Sequence, residues 1–244
     1  MKKALILQSN YIPWKGYFHA INEVDVFVMY DDVQYTKNDW RNRNLIKSKT
    51  GLQWLTIPVE TKHRSLQKIN QAQIVPNNWA LKHLSSIKHN YTKATCFKEY
   101  ISFFEDLYHH CNYKYLIDVN RYFLTSICEL LDIKTPIVQS SDYNLKSTNK
   151  TERIVEMCSK LNVTDYYSGP AAKAYIETDL FIDANIGLHY FDYANFPTYQ
   201  QLYLPFLHEV SVIDVILNTG SDAKKYIQKE KSHNTILEPV FQYR

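Results

Sequence analysis

Glycine is scarce in this chain: only five of its 244 residues are glycine. The two common nucleotide-binding fingerprints, G-x-G-x-x-G and G-x-x-x-x-G-K-[ST], are both absent. Those loops need several glycines because the backbone must approach phosphate groups closely. If the protein binds a nucleotide, it must hold it in a different way.

The sequence also lacks paired cysteines and long apolar runs. Cys96, Cys111, Cys128 and Cys158 show no C-x-x-C spacing, so we interpret them as structural thiols in a reducing compartment. Residues 1–8 have a basic start but only a four-residue apolar run, which is too short for a signal sequence or a membrane span. We therefore expect a cytoplasmic protein without a membrane span.

Positive charge is local rather than global. A net charge of +3 and a pI near 8.5 do not indicate a general surface for nucleic acid or membranes. Within residues 37–49, however, Asp39 is the single acidic residue, and the basic ones are Lys37, Arg41, Arg43, Lys47 and Lys49. A guanidinium offers fixed paired donors to phosphate, so Arg41-Asn42-Arg43-Asn44 together with Lys37 is a candidate phosphate clamp. A solvated basic loop is the alternative.

Short β-rich runs alternate with helical periodicity along the chain. Strands are predicted at residues 4–7, 26–30, 54–59, 136–139, 166–168 and 188–193. Three helical patterns lie between the third and fourth of these runs, and Asn149 with Glu152 marks a capped start for a later helix. The pattern predicts a single α/β domain over residues 1–244, with a mostly parallel sheet and a helical subdomain at about 75–132.

Polar loops follow four of the predicted strands. In open parallel sheets, ligands bind beyond the carboxyl ends of the strands. The loops that begin at Gln8, Asp31, Tyr167 and Asp192 should therefore share one rim of the sheet. Two of them lead into candidate segments at residues 8–18 and 31–44, and the last leads to Tyr199 and Gln201.

The polar and aromatic residues of these loops have two interpretations. Tyr11 and Trp14 could contact a ligand or pack the first helix onto the sheet. Gln8 and Asn10 follow a buried strand, so they need partners; we favour ligand contact over helix capping. Asp31 and Asp32 point to opposite faces if the strand continues through them. At most one of them should then act, as a base or in a Mg²⁺-linked role, and the alternative is a loop cap with a surface charge.

Two familiar kinds of site are not expected. His109 and His110 lie late in a predicted helix without H-x-x-x-H spacing, so the sequence predicts no metal site there. No G-x-S-x-G signature is present, so a hydrolase triad has no support.

Several ordered motifs resemble one protein family. They are Gln8-x-Asn10-Tyr11-x-Pro13-Trp14-x-Gly16-Tyr17-Phe18, Tyr30-Asp31-Asp32-Val33-Gln34-Tyr35-x-Lys37, Asn42-Arg43-Asn44, Tyr167-Ser168-Gly169 and Pro197-x-Tyr199-x-Gln201. Together with Asn120 and Ser211-x-Ile213-Asp214 they resemble the WbqC-like protein family over nearly the whole chain. The resemblance implies a role in O-antigen or other surface-polysaccharide biosynthesis, where a glycine transferase activity has been suggested. The implied reaction is N-acylation of an amino sugar carried on a nucleotide or a lipid.

A second, weaker resemblance concerns the opening of the chain. The first strand, Pro13-Trp14-Lys15-Gly16-Tyr17 and the second strand look like the start of pantothenate synthetase and related nucleotidyltransferase-like Rossmann proteins. That resemblance implies a Rossmann-like sheet with a crevice of nucleotide size. Both histidines of the H-x-G-H signature are missing here, which argues against adenylyl transfer.

The candidate site combines these inferences. Asp31, Asp32, Lys37 and Arg43 are the candidate catalytic residues, with a carboxylate as base and the cations stabilising phosphate charge. The candidate substrate-binding residues are Gln8, Asn10, Tyr11, Trp14, Gly16, Gln34, Tyr35, Arg41, Asn42, Asn44, Tyr167, Ser168, Gly169, Tyr199 and Gln201.

The cofactor is unknown; ATP with Mg²⁺ or a carrier thioester would have to activate the small acyl or amino-acid donor, because a free carboxylate is a poor electrophile. A module for single-stranded nucleic acid or tRNA, suggested by Trp40 amid the basic residues, and a non-catalytic scaffold are the alternatives.

Overall fold

Five strands form a parallel sheet at the centre of the fold. A computed structural model describes residues 1–64 and 66–229 of the chain. The sheet contains β1 (Lys3–Leu7), β2 (Val26–Met29), β5 (Ile137–Gln139), β6 (Asp165–Ser168) and β7 (Gly187–Tyr190), while β3 (Arg43–Ser48) and β4 (Gly51–Thr56) form a separate hairpin. The strand order is β5-β2-β1-β6-β7, and every neighbouring pair is parallel. The predicted Rossmann-like α/β architecture is confirmed.

The sheet has helices on both faces. They are α1 (Lys15–Asn22), α2 (Trp79–Tyr91), α3 (Phe97–His110), α4 (Leu116–Leu130), α5 (Lys150–Lys160), α6 (Thr178–Asp183), α7 (Val212–Thr219) and α8 (Ala223–Ile227). Side chains alternate along β1: Leu5 joins the core under α1, α4 and α7, and Ala4 and Ile6 join the core under α5 and α6. The helical insertion α2–α4 packs into the first of these cores.

The predicted strand at 54–59 does not belong to the sheet. Residues 54–56 form the end of β4, which begins at Gly51 and pairs antiparallel with β3, so that Arg43 is opposite Thr56 and Ser48 is opposite Gly51. Residues 43–48 were interpreted as part of a basic loop. The buried residues of β3 are Asn44, Ile46 and Lys47. Because only Ile46 among them is apolar, the apolar alternation that marks a strand is missing from the sequence.

The predicted start of the helix after Asn149 is confirmed. The Asn149 side-chain oxygen accepts hydrogen bonds from the backbone N–H groups of Thr151 (2.7 Å) and Glu152 (3.1 Å), as a helix N-cap does. This helix, α5, also carries Arg153, whose contacts near the strand ends are described below. In the described part of the chain, no helix combines the length and the hydropathy needed to cross a bilayer.

Candidate functional site

The strands that lead into the candidate loops are direct neighbours. β2, β1, β6 and β7 lie side by side and point the same way, so their carboxyl ends meet at one edge of the sheet. The strand order reverses between β1 and β6, because α1 takes the chain to one side and β6 enters on the other. Crevices at such reversal points are the usual ligand sites of open α/β sheets. This places the segments after Gln8, Met29 and Ser168 at one rim, as predicted.

Asp31 is a buried carboxylate at this rim. Its side chain is only 1% exposed, and Oδ1 accepts a hydrogen bond from the backbone N–H of Ser9 at 2.8 Å. Oδ2 is also buried and has no hydrogen-bond partner among the described residues. Burial raises the pKa of Asp31 to about 6, against the opposing effect of the Ser9 hydrogen bonds. Above that pH it is a carboxylate with an unused oxygen, which is the state a general base requires.

Three further residues with unpaired polar atoms are connected to Asp31 through one to three hydrogen bonds. Asn120 donates to the Ser9 hydroxyl and to the Arg41 carbonyl, both at 2.9 Å, and the Asn70 backbone N–H donates to the Asp31 carbonyl at 2.9 Å. The side-chain oxygens of Asn70 and Asn120 and the Nε of Arg41 are buried without a hydrogen-bond partner in residues 1–64 and 66–229. Buried polar groups normally have partners. We interpret this group of unpaired atoms as a site that a polar ligand completes.

Asn70 and Asn120 were not among the predicted site residues. Asn120 lies in α4 between the buried residues Val119 and Phe123 and is itself fully buried. An amide on the apolar face of a helix was a signal that the sequence offered. Asn70 offered none, because its position depends on a contact with the distant Asp31 backbone.

Asp32 has different contacts from Asp31. Its carboxylate forms an ion pair with Arg153 and accepts a short hydrogen bond from the hydroxyl of Ser140. Arg153 also donates to the Tyr30 hydroxyl at 2.9 Å and to the Ser147 carbonyl at 3.1 Å. Asp32 therefore ties the end of β2 to β5 and α5, and both of its oxygens are in use. This arrangement favours Asp31 over Asp32 as the base.

The basic stretch is divided among several environments. Arg41 donates to the side-chain oxygen of Asn10 and lies 3.7 Å from Asp39. The guanidinium carbon of Arg43 is 4.1 Å from the centre of the Trp54 ring, and its side chain makes no hydrogen bond or ion pair within the described residues. Lys37 is exposed. Arg43 is thus held by stacking while its donors stay available.

Several predicted substrate-binding residues are placed in packing roles. Tyr11 is fully buried, and its hydroxyl bonds to Nδ1 of His83 (2.9 Å) and to the hydroxyl of Tyr108 (2.6 Å). A Cβ on Gly16 would lie 2.3 Å from the indole of Trp14, so glycine lets that indole fold over α1. For Tyr11 these contacts are those of the packing alternative, and Gly16 makes room for the indole of Trp14.

Two asparagines hold the hairpin in place. Asn44 donates to the Tyr11 carbonyl at 3.0 Å, and Asn42 donates to the Ile57 carbonyl at 2.8 Å. Tyr35, which precedes both asparagines in the chain, is also buried. Burial raises the pKa of Tyr35 to about 12, which keeps the phenol neutral. Gln34 is exposed and pairs as a β-bridge with Lys68. These positions shape the loop around Arg41 and Arg43.

Tyr199 and Gln201 belong to a buried network centred on Asp214. Both donate to the fully buried carboxylate of Asp214, Tyr199 at 2.7 Å and Gln201 at 2.9 Å. Gln201 also accepts from the ammonium of Lys47 at 2.8 Å, and the same ammonium donates to the carbonyls of Tyr203 and Pro205. This network attaches residues 199–205 to β3 and α7. The two residues were expected at the rim because they follow β7 in sequence. The Tyr199 ring centroid lies 5.2 Å from the ammonium of Lys15 at the start of α1, and ligand contact by Tyr199 and Gln201 stays a prediction.

At the end of β6, aromatic and small residues line the rim. The Tyr167 ring stacks on His189 with 4.7 Å between ring centroids and lies 5.4 Å from Phe191. Ser168 is buried and accepts from the Tyr166 hydroxyl at 3.1 Å. Gly169 is half-buried with open space beside its Cα, so the crevice next to β1 is not filled at this point.

The four cysteines are free thiols, as expected. Burial raises the pKa values of Cys111, Cys128 and Cys158 to about 12, so these thiols stay protonated at neutral pH. Within the described ranges, no three His, Cys, Asp or Glu side chains are arranged as metal ligands.

The fold and the rim define an α/β protein with a Rossmann-like parallel sheet and a polar site at its strand ends. Comparison with known proteins then gives the family: the WbqC-like protein family matches residues 8–226, and the chain belongs to it. The chain is also 42% identical over 228 residues to Uncharacterized protein Rv1507c of Mycobacterium tuberculosis, a match that covers 93% of this chain and 98% of that protein. No solved structure matches the chain. Membership in this family is consistent with a polysaccharide-related role.

Proposed function

We propose that this protein is a transferase of surface-polysaccharide biosynthesis that acylates the amino group of a nucleotide-linked or lipid-linked amino sugar. The acyl group is glycyl or another small acyl or amino-acid group. The observation that carries the proposal is Asp31, a buried carboxylate with one unpaired oxygen and a pKa of about 6. Amide formation needs a base of this kind, because the attacking amine must lose a proton.

The other unpaired atoms can bind the two substrates. In the reaction, the amine nitrogen bonds to the acyl carbon, the bond from that carbon to its phosphate or thiol leaving group breaks, and Asp31 takes the amine proton. Arg41 Nε and the free donors of Arg43 suit the negative charge of a phosphate or carboxylate. The amide oxygens of Asn70 and Asn120 suit the amine or hydroxyl protons of a sugar.

The structure gives less support to a nucleic-acid module. Proteins that follow a nucleic-acid backbone need a row of available cations. Here Lys47 is buried against residues 201–205, Arg41 contacts Asn10 and Asp39, and Arg43 stacks on Trp54. The basic stretch is therefore not a continuous phosphate-binding strip.

The proposal is tested by direct detection of the amide. The purified protein is incubated with nucleotide-linked amino sugars and either glycine with ATP and Mg²⁺ or acyl thioesters, and products are analysed by mass spectrometry. We expect one acyl group to be added to an amino sugar, and Asp31→Asn to form this product about 10²–10⁴ times more slowly. Failure of every donor and acceptor pair, in a sample whose thermal stability shows that it is folded, would count against the proposal.

Arg43 gives a more specific prediction. If its guanidinium binds a phosphate or carboxylate of the substrate, Arg43→Lys should lose about tenfold or more in kcat/KM, nearly as much as Arg43→Ala, because lysine lacks the planar paired donors. Lys49→Ala is the control, since Lys49 is an exposed cation in the same hairpin. Unchanged kinetics in both Arg43 variants would remove Arg43 from the site, and an equal loss in Lys49→Ala would indicate a diffuse electrostatic effect.

A further inference from the structure

Two tryptophans form an exposed aromatic surface beside the hairpin. Trp40 is 41% exposed and Trp54 is 42% exposed, and their ring centroids are 5.4 Å apart. We call this pair the tryptophan platform. Arg43 covers part of Trp54 and fixes its ring. Large apolar side chains that stay exposed together, on rigid elements, are typical of binding surfaces.

A cavity of about 360 Å³ adjoins the platform between β4 and α2. Its lining includes Gln53, Trp54, Thr56, Trp79, Lys82 and Ser86. Its lining residues, all within the described part of the chain, include no Asp or Glu. The cavity therefore combines indole surfaces with amide, hydroxyl and ammonium groups, in the volume range of small-molecule sites.

We propose that the tryptophan platform and this cavity form a carbohydrate subsite that binds a pyranose ring. One face of a pyranose presents C–H groups, which pack on an indole ring, and its edge presents hydroxyl groups, which both donate and accept hydrogen bonds. Trp54 offers the ring, and Thr56, Lys82 and Ser86 offer the partners. The absence of carboxylates from the lining and the presence of Lys82 also allow the sugar to be anionic.

The backbone of Trp40, one of the two platform residues, lies close to Asp31. The Ser9 backbone N–H donates to the Asp31 carboxylate at 2.8 Å, and the Tyr11 backbone N–H donates to the Trp40 carbonyl at 3.0 Å. Ser9 and Tyr11 are two residues apart, and that chain length spans at most about 7 Å, so Asp31 Oδ1 and the Trp40 carbonyl lie within about 13 Å of each other. A saccharide on the platform can thus belong to the molecule whose amino group reaches Asp31. In this respect the inference rests on the proposed function.

Binding is tested without catalysis, using free N-acetylglucosamine and its disaccharide as probes and ligand-observed NMR to measure affinity. We expect the wild-type protein to bind both, and Trp54→Ala to weaken binding about tenfold through loss of the ring face. Trp54→Phe keeps an aromatic face and should retain most of the affinity. Tyr113→Ala is the matched control, because Tyr113 is also 42% exposed and its ring lies 5.4 Å from that of Tyr122. It should leave binding unchanged.

Two results would overturn the subsite. One is that the folded wild-type protein binds no saccharide, or that folded wild type and folded Trp54→Ala bind it with equal affinity. The other is binding of a thymidine dodecanucleotide that is steeply weakened by salt and lost in Trp54→Ala, without saccharide binding, which would make the platform a base-stacking surface. Saccharide binding that depends on Trp54, in a protein that transfers no acyl group, would support the subsite and count against the proposed function alone.

Discussion

Replacing Asp31 by asparagine should make the folded protein more stable at pH 8 while it slows acyl transfer by about 10²–10⁴. The carboxylate is 1% exposed, and burial raises its pKa from 3.8 to about 6. A shift of this size corresponds to a cost of up to roughly 3 kcal/mol for keeping the ionised form in the fold. Asparagine has nearly the same shape and can still accept the Ser9 hydrogen bond, but it carries no charge. We expect a gain of about 1–3 kcal/mol in the free energy of unfolding at pH 8, and a loss of about 10²–10⁴ in turnover.

The pH dependence of this gain follows from the direction of the shift. Below pH 4 the carboxyl is protonated in both the folded and the unfolded chain, so the variant and the wild type should differ little. Between pH 4 and about pH 6 the folded state binds more protons, so the wild type loses stability as the pH rises, and the loss is complete above about 6. Urea unfolding at pH 4 and pH 8 measures the difference.

Asp32→Asn is the control for the Asp31 experiment. Its carboxylate is paired with Arg153, so removing its charge should lower stability at pH 8, the opposite sign from Asp31→Asn. A loss of stability in Asp31→Asn at pH 8 would show that the Asp31 carboxylate does not destabilise the fold. Full activity of the variant would show that Asp31 is not the base.

Asp214→Ala should produce the largest loss of stability. The fully buried carboxylate of Asp214 accepts hydrogen bonds from the hydroxyls of Tyr91 (2.8 Å) and Tyr199 (2.7 Å) and from the amide of Gln201 (2.9 Å). Alanine would leave these donors buried without partners and would remove the negative charge near Lys47. The expected cost is about 3–5 kcal/mol in the free energy of unfolding.

The local consequence of Asp214→Ala can be measured separately. Residues 199–205 are attached to the fold through Gln201 and Lys47, so their amide hydrogens should exchange faster in the variant, under conditions where the sheet remains protected. Asp222→Ala is the control, because Asp222 forms an exposed ion pair with Lys225 and should change stability by at most about 0.5 kcal/mol. A similar small effect for Asp214→Ala would contradict the anchoring role of the network.

Local patterns in the sequence were sufficient to predict the sheet and the rim. Residues close together in the chain determine three of these features: the strands formed by short apolar runs, the three helices of the insertion and the Asn149 cap. The position of Asp31 beside the end of β1 follows from the parallel order of the strands. The resemblance to the WbqC-like family added the expected role, which the fold alone does not define.

Contacts between distant residues could not be predicted in the same way. Gln201 follows β7 in sequence, but its position is decided by Asp214 and by Lys47, which is 154 residues away. Asn120 reaches Ser9 across 111 residues. The hairpin β3–β4 was missed for a different reason. The buried residues of β3 include the polar Asn44 and the charged Lys47, so the strand shows no simple alternation of apolar and polar residues.

The pH dependence of kcat/KM for acyl transfer tests the central claim most directly, because it reports the ionisation of the free enzyme. If Asp31 accepts the amine proton, kcat/KM for the wild type should fall about tenfold per pH unit below an apparent pKa of about 6. The residual activity of Asp31→Asn should lack that inflection, whereas Asp32→Asn should keep it. An inflection near pH 6 that persists in Asp31→Asn, or a wild-type profile that is flat between pH 5 and pH 7, would contradict the account.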